Sequence, residues 1–191
     1  MSNDIKIGLI GNSSVGKSSL IRRFVDNKFD DNYMSTIGVD YFEKNIIINN
    51  NRIKLVIIDT SGEERFRSIS KSYYKNVDGI IFVFDIMNSE SFKEGVKYWL
   101  TECNNEIGEY KAILVGNKID LEMRMINKEE IQHFADAHQI KYFETSAKDG
   151  KNVDLIFKEL VELILKDLNK KKNKNKKLGN HNNFTKRKKC C

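Results

Sequence analysis

Residues 11–18 read Gly-Asn-Ser-Ser-Val-Gly-Lys-Ser, a G-x-x-x-x-G-K-S spacing set directly behind the apolar run Ile-Gly-Leu-Ile. Gly11 and Gly16 let the backbone turn so that successive N–H groups point inward, the arrangement that cradles phosphate oxygens. Lys17 is placed to reach β- and γ-phosphates, and Ser18 to offer a hydroxyl to Mg²⁺. Ser13, Ser14, Val15 and Ser19 complete the candidate binding loop. A helix predicted over 17–26 adds the positive end of its dipole. Taken alone, the loop specifies a nucleoside triphosphate, and neither the base nor the outcome.

Three further polar loops bear on the base and the metal. Asn117-Lys118-Ile119-Asp120 follows the apolar run Ala-Ile-Leu-Val-Gly. A carboxylate at Asp120 accepts hydrogen bonds from N1–H and the 2-amino group of guanine; adenine offers neither donor, so the pairing discriminates strongly. Lys118 can lay its alkyl stem along the base, and Asn117 can brace the loop. Ile57-Ile58-Asp59-Thr60-Ser61-Gly62 puts Asp59 at the end of a strand, where it can hold magnesium through water, and Gly62 where its N–H can meet a γ-phosphate. Glu144-Thr145-Ser146-Ala147-Lys148 ends another strand, with the N–H of Ala147 available to the guanine oxygen and Ser146 and Lys148 beside it. All four loops follow the carboxyl ends of strands, where ligands bind in open α/β sheets.

The elements that must position these loops are legible in the hydrophobic pattern. Short runs at 5–10, 53–58, 79–84 and 112–115 are rich in Ile, Val and Phe, as buried parallel strands are. Phe-Glu-Lys-Asn-Ile-Ile-Ile-Asn and Asn-Arg-Ile-Lys-Leu-Val-Ile-Ile-Asp form a hairpin turning at Asn49–Asn51, and 142–145 is a last strand. Helical patterns cover 17–26, 90–107, 128–138 and 152–168. The third begins at Asn127 with Glu130 three residues on, a capping-box spacing. The expected class is α/β, a six-stranded, mostly parallel sheet with one antiparallel strand and helices on both faces.

Composition sets the remaining limits. With 191 residues, 40% apolar and 31% charged, the chain suits one globular domain. No run reaches the roughly 18 apolar residues of a membrane span. No signal peptide is expected, and three cysteines make no disulfide framework, which points to a reducing, cytosolic setting. The net charge of +6 comes from residues 170–191, which hold ten basic residues and no acidic ones; the remainder has 23 basic against 27 acidic. The domain is therefore expected over 1–168, and 169–191 as a disordered basic tail. Cys103 is expected as packing, and the three histidines lack metal-ligand spacing.

Together these motifs resemble the Rab family of small GTPases, in the Ras superfamily, over residues 5 to about 168 and the final two cysteines. Ser-Thr-Ile-Gly-Val-Asp-Tyr (35–41), Asp-Thr-Ser-Gly-Glu-Glu-Arg-Phe-Arg-Ser-Ile (59–69), Ser-Tyr-Tyr (72–74) and the Cys-Cys pair carry the likeness. The resemblance implies a P-loop NTPase G domain that binds GTP or GDP with Mg²⁺. It implies metal ligation by Ser18 and Thr36 with Asp59 in the outer shell, Phe29 against the base or ribose, and Tyr33 over the phosphates. Thr36, Gly62, Lys17 and residue 63 would serve hydrolysis, in switch segments at about 30–41 and 60–75. Ile37, Gly38, Val39, Asp40, Tyr41, Ile58 and Tyr73 would form the effector surface, and Cys190 and Cys191 would carry geranylgeranyl groups. Expected partners are an exchange factor, an activating protein, a GDP-dissociation inhibitor, an escort protein and effectors. A monomer is expected, on the cytoplasmic face of intracellular membranes with a cytosolic pool, and no nucleic-acid partner.

Three departures stand out. Glu63 occupies the place of the family's water-orienting glutamine. A carboxylate accepts from water but donates nothing to the transferring phosphoryl group, so slow intrinsic hydrolysis is expected, with an activating protein needed. Ser13 and Ile58 replace residues that are more usual at those places. The rival readings are a hydrolysis-impaired, GTP-bound binding module; a P-loop kinase, for which no arginine-rich lid is evident; and a nucleic-acid binder acting through the tail.

Overall fold

The computed structural model describes residues 4–31, 36, 38–61 and 76–185, with side chains to residue 171. Six strands form one sheet: β1 (Asp4–Ile10), β2 (Val39–Ile48), β3 (Asn51–Thr60), β4 (Gly79–Asp85), β5 (Lys111–Asn117) and β6 (Lys141–Thr145), in the order β2-β3-β1-β4-β5-β6. Every pairing is parallel except β2 with β3. That hairpin turns on Asn49 (φ 49°) and Asn50 (φ 62°), so Ile48 faces Asn51 across a two-residue loop. Both turn residues take the left-handed conformation that a right-twisted hairpin requires, and asparagine tolerates it best after glycine.

The chain runs outward from β1 in both directions, first to β3 and later to β4, β5 and β6. This reversal makes the end of β1 the switch point of the sheet, where the 11–18 loop stands. β4 is buried at every position, as a central strand covered on both faces must be.

Helices cover both faces. On one, α1 (Lys17–Asp26) and α4 (Val153–Thr185) bury Leu20, Ile21, Phe24, Ile156, Phe157 and Leu160 against Ile7, Leu9, Leu55 and Val83. On the other, α2 (Lys97–Glu106) and α3 (Lys128–Ala137) bury Trp99, Leu100, Ile131 and Ala135 against Phe82, Phe84 and Leu114. Asn127 caps α3, its side chain accepting from the Glu129 N–H. Cys103 lies in the second cluster, and burial pushes its thiol up to about 12, so it packs as an inert apolar group.

Phe24 and Phe157 stack with centroids 3.9 Å apart and planes at 11°, fixing the last turn of α1 on α4. Both rings are essentially inaccessible. Phe157→Ala should therefore destabilise the domain by about 3–5 kcal/mol, lost transfer energy plus an unfilled cavity. Denaturant unfolding of the purified protein measures it; a loss under about 1 kcal/mol would mean that the site collapses freely.

Two elements differ from expectation. The pattern over 90–107 predicts one α-helix, but Ser91–Val96 is a π-turn that leads into α2. A π-turn fits an extra residue into the coil. Here it brings Gly95 flat against the Asn12 side chain, where a Cβ would lie 2.6 Å from Oδ1. The second difference is α4, which runs on to Thr185 instead of stopping near 168. Its stripe of apolar residues does end there, but lysine is a good helix former and no proline intervenes. Ion pairs carry the first extra turn: Asp167 meets Lys111 (2.8 Å) and Lys171 (3.2 Å), and Lys171 meets Glu109 (2.5 Å).

Candidate functional site

The loop between β1 and α1 is fixed from below by Val15, which is 1% exposed and part of the core. Gly11 lies so close to β4 that a Cβ would strike the Val83 carbonyl. Gly16 (φ 97°) takes a left-handed conformation and abuts the Asn117 amide, leaving no room for a side chain. It is also the N-cap of α1, with no side-chain cap bond, so the first helical N–H groups are not used up by a capping side chain. Ser14 is left-handed as well, at φ 63°. Lys17 is 5% exposed, and its ammonium donates to the carbonyls of Gly11 (2.9 Å) and Asn12 (2.8 Å). The charge thus lies across the mouth of its own loop. Ser14, Gly16, Lys17, Ser18, Ser19, Thr36, Thr60 and Ser61 line a small polar cavity there.

Two hydroxyls and a carboxylate meet beside that cavity. Ser18 Oγ and Thr36 Oγ1 are 2.9 Å apart although 18 residues separate them. Asp59, at the end of β3, is 1% exposed, and among the described residues its Oδ1 has no hydrogen-bond partner. Burial pushes its carboxyl up; a hydrogen bond from Ser18 and the Lys17 ammonium act against that shift. A buried carboxylate with an unsatisfied oxygen beside two hydroxyls is an all-oxygen donor set suited to a hard dication. The residues present therefore fit Mg²⁺.

The loops after β5 and β6 are organised by Asn117, which is 1% exposed. Its Nδ2 donates to the Val15 carbonyl (3.0 Å), and its Oδ1 accepts from Thr145 Oγ1 (3.2 Å) and the Ala147 N–H (3.3 Å). One amide so joins three loops. The register makes this possible: Asp85, Asn117 and Thr145 are neighbours across β4, β5 and β6. Asp120 Oδ1 accepts from Ser146 Oγ at 2.7 Å, and that same Oγ accepts the Asp149 N–H at 2.9 Å. Ser146 is fully buried, so the Asp120 carboxylate stands on a fixed post. Lys118 (φ 72°) pairs with Asp85 at 2.7 Å.

The structure thus brings together Ser14, Gly16, Lys17, Ser18, Ser19, Thr36 and Asp59 around the loop after β1, and Asn117, Lys118, Asp120, Ser146 and Ala147 at the ends of β5 and β6. Phe29 packs partly buried against the first core cluster, and Lys148 is exposed. On the outer strand, Asp40 is exposed, Gly38 and Val39 are half-buried, and Tyr41 is 56% exposed. Ile58, expected on the same surface, is instead buried at 3%, packed into the second core cluster. Tyr41, its cross-strand neighbour, points to the same face but lies on the edge strand β2, where it stays exposed. Tyr33, Ile37, Gly62, Glu63, Tyr73, Cys190 and Cys191 lie outside the described residues. Sequence reasoning missed Asp85 and Arg23, neither of which belongs to a recognisable spacing; the Phe-Asp step at the end of β4 was the only available hint of the first.

A model of the Ras family matches residues 6–166. Among curated proteins, the chain is 44% identical over 165 residues to Ras-related protein Rab-18 of Caenorhabditis briggsae, covering 84% of this chain and 80% of that one. It is 44% identical over 161 residues to Ras-related protein Rab-1 of Theileria parva, covering 83% and 73%. The same identity over 161 residues holds for GTP-binding protein YPT1 of Saccharomyces cerevisiae, with 83% and 78% covered.

Proposed function

This chain belongs to the Ras family as a Rab-type GTPase, and from that premise we propose that it is a GTP-hydrolysing switch in vesicle-mediated membrane trafficking. The observation that carries the reading is the convergence on one sheet edge of a buried lysine, a hydroxyl pair with a buried carboxylate, and a carboxylate posted on Ser146. Asn117 ties the two ends into one site.

In this reading the N–H groups of residues 13–19 receive the phosphates. Lys17 exchanges its two carbonyl partners for phosphate oxygens, so its charge is already oriented before the ligand arrives. Ser18 and Thr36 would hold Mg²⁺, with the Asp59 carboxylate beside them as a further acceptor for its shell. The ion, when bound, supplies neutralisation of charge on the β- and γ-phosphates. Asp120 and the Ala147 N–H select guanine, Lys118 and Phe29 flank it, and Tyr33 closes over the phosphates. Gly62 meets the γ-phosphate, and Glu63 faces the attacking water. Loss of the γ-phosphate releases Thr36 and Gly62, and with them the surface offered to effectors around Tyr41 and Tyr73.

No helix among the described residues is long and apolar enough to cross a membrane. Attachment is assigned to two geranylgeranyl groups on Cys190 and Cys191, since two chains anchor stably where one does not. The ten basic residues over 170–191 assist at an anionic cytoplasmic surface. Exchange factor, activating protein, dissociation inhibitor and escort protein complete the cycle. A tagged protein should mark intracellular membranes with a cytosolic pool, and the Cys190→Ser, Cys191→Ser form should be diffuse; identical patterns would remove the anchor from this account.

A second reading, a hydrolysis-impaired module that stays GTP-bound, is favoured by Glu63. Single-turnover phosphate release, with and without a Rab-activating protein, separates the two: no release in either case selects the module. Glu63→Gln should then raise intrinsic hydrolysis about tenfold, the worth of one well-placed hydrogen bond donated to the transferring group. An unchanged rate would show that residue 63 does not contact the reaction.

A further inference from the structure

We propose that Arg23 is the positioning residue of the guanine pocket, a clip whose guanidinium fastens the turn leading to Phe29 onto the Ala147–Lys148 loop. The inference rests on the reading that a guanine base lies between those two segments. Arg23 is on the last turn of α1, away from the phosphate loop. Its Nε donates to the Ala147 carbonyl at 2.8 Å and its Nη2 to the Lys148 carbonyl at 2.6 Å, both more than 120 residues away in sequence. Its Nη1 donates in the other direction, to the carbonyl (3.1 Å) and Oδ1 (3.3 Å) of Asn27. The guanidinium carbon lies 6.0 Å from the centroid of the Phe29 ring.

The two ends are the ones that matter for a base. Asn27 is the left-handed C-cap of α1 (φ 54°), so its orientation sets the exit of the chain toward Phe29 two residues later. Ala147 carries the N–H assigned to the guanine oxygen, a donor that the base would share with Asn117 Oδ1, now 3.3 Å away. Its own carbonyl and the next are held by one rigid, planar fork, which limits rotation of both peptides. Asn117 restrains that loop from the phosphate side through the Ala147 N–H, but only at 3.3 Å. Arg23 holds the loop from the outer side, at the Ala147 and Lys148 carbonyls, where the Ser146 post does not reach. A lysine here has one ammonium and no fork; it can reach one carbonyl but cannot span two loops.

Arg23→Ala should speed GDP dissociation about tenfold, with Arg23→Lys in between. The diagnostic readout is which base contact loosens. Competition against a fluorescent GDP with 6-thioguanosine diphosphate, which keeps N1–H and the 2-amino group but puts a weakly accepting sulfur in place of the guanine oxygen, reports the Ala147 N–H. The same competition with inosine diphosphate, which lacks the 2-amino group, reports Asp120. In Arg23→Ala the preference for GDP over the 6-thio nucleotide should fall about fivefold, while the preference over inosine diphosphate stays within twofold. Dissociation within twofold of the parent, or two preferences that move together, overturns the clip. Circular dichroism controls for folding, and should Arg23→Ala not fold, Arg23→Gln is read by the same two ratios. Failure of the underlying site reading is distinguishable, since the parent protein would then show no preference for GDP over ADP.

Discussion

Asp120→Asn should lower GDP affinity about 10³-fold or more and transfer preference to xanthosine diphosphate. The direction follows from the post beneath the carboxylate. Ser146 Oγ accepts the Asp149 N–H at 2.9 Å, so its own hydrogen is committed to Asp120 Oδ1 at 2.7 Å. An asparagine must answer that donor with its carbonyl oxygen. Its NH₂ group is then turned toward the base, donor against the donors N1–H and 2-amino of guanine. Xanthine has a carbonyl at C2, which the NH₂ can reach. Competition of GDP, XDP and ADP against a fluorescent nucleotide measures the change. A second substitution sharpens it: Ser146→Ala combined with Asp120→Asn frees the new amide to rotate and should return part of the GDP affinity. An Asp120→Asn protein that still prefers GDP over XDP would remove Asp120 from base selection.

The same post shows where sequence is informative and where it is not. Asp120 was legible because its chemistry lies within a four-residue spacing after a strand; Ser146 was visible only as a neighbour of Ala147. That Ser146 supports Asp120 needs β5 and β6 in register, with Asn117 opposite Thr145. The six strands and the antiparallel hairpin were readable, since a buried strand announces itself by a run of Ile, Val and Phe and the turn by adjacent asparagines. The π-turn at Ser91–Val96 was not readable, because its apolar positions Phe92 and Val96 fit an α-helical period equally well. Arg23 escaped for a different reason. All its long-range partners are backbone carbonyls, which every residue possesses, so no residue type marks them. Lys118 and Asp85 likewise pair through strand adjacency and not through spacing. Ile58 shows the converse: likeness assigns it to an effector surface, and packing under the helices over its strand leaves it 3% exposed, which no spacing announces.

Asn117→Ala should be the most damaging single change at the site, because three buried groups lose their partner at once. The Val15 carbonyl, the Thr145 hydroxyl and the Ala147 N–H each sit in residues no more than 4% exposed. Leaving a buried polar group unpaired costs about 1–3 kcal/mol, and the three are coupled, so a loss of about 3–5 kcal/mol in stability is expected instead of the full sum. The effect on nucleotide is larger in kind. Asn117 is the hydrogen-bonded connection from the phosphate loop to the base loops, so without it the two halves of the site position independently, and GDP dissociation should accelerate by about 10³-fold or more. Asn117→Asp tests the donor alone. It keeps acceptors for Thr145 and Ala147, yet sets a carboxylate oxygen against the Val15 carbonyl in a buried place. It should therefore bind GDP no better than the alanine form despite its matching shape. Stopped-flow release of a fluorescent GDP, beside urea unfolding of each variant, gives both quantities. Release within tenfold of the parent in Asn117→Ala would show that the loops hold their places without the amide that joins them.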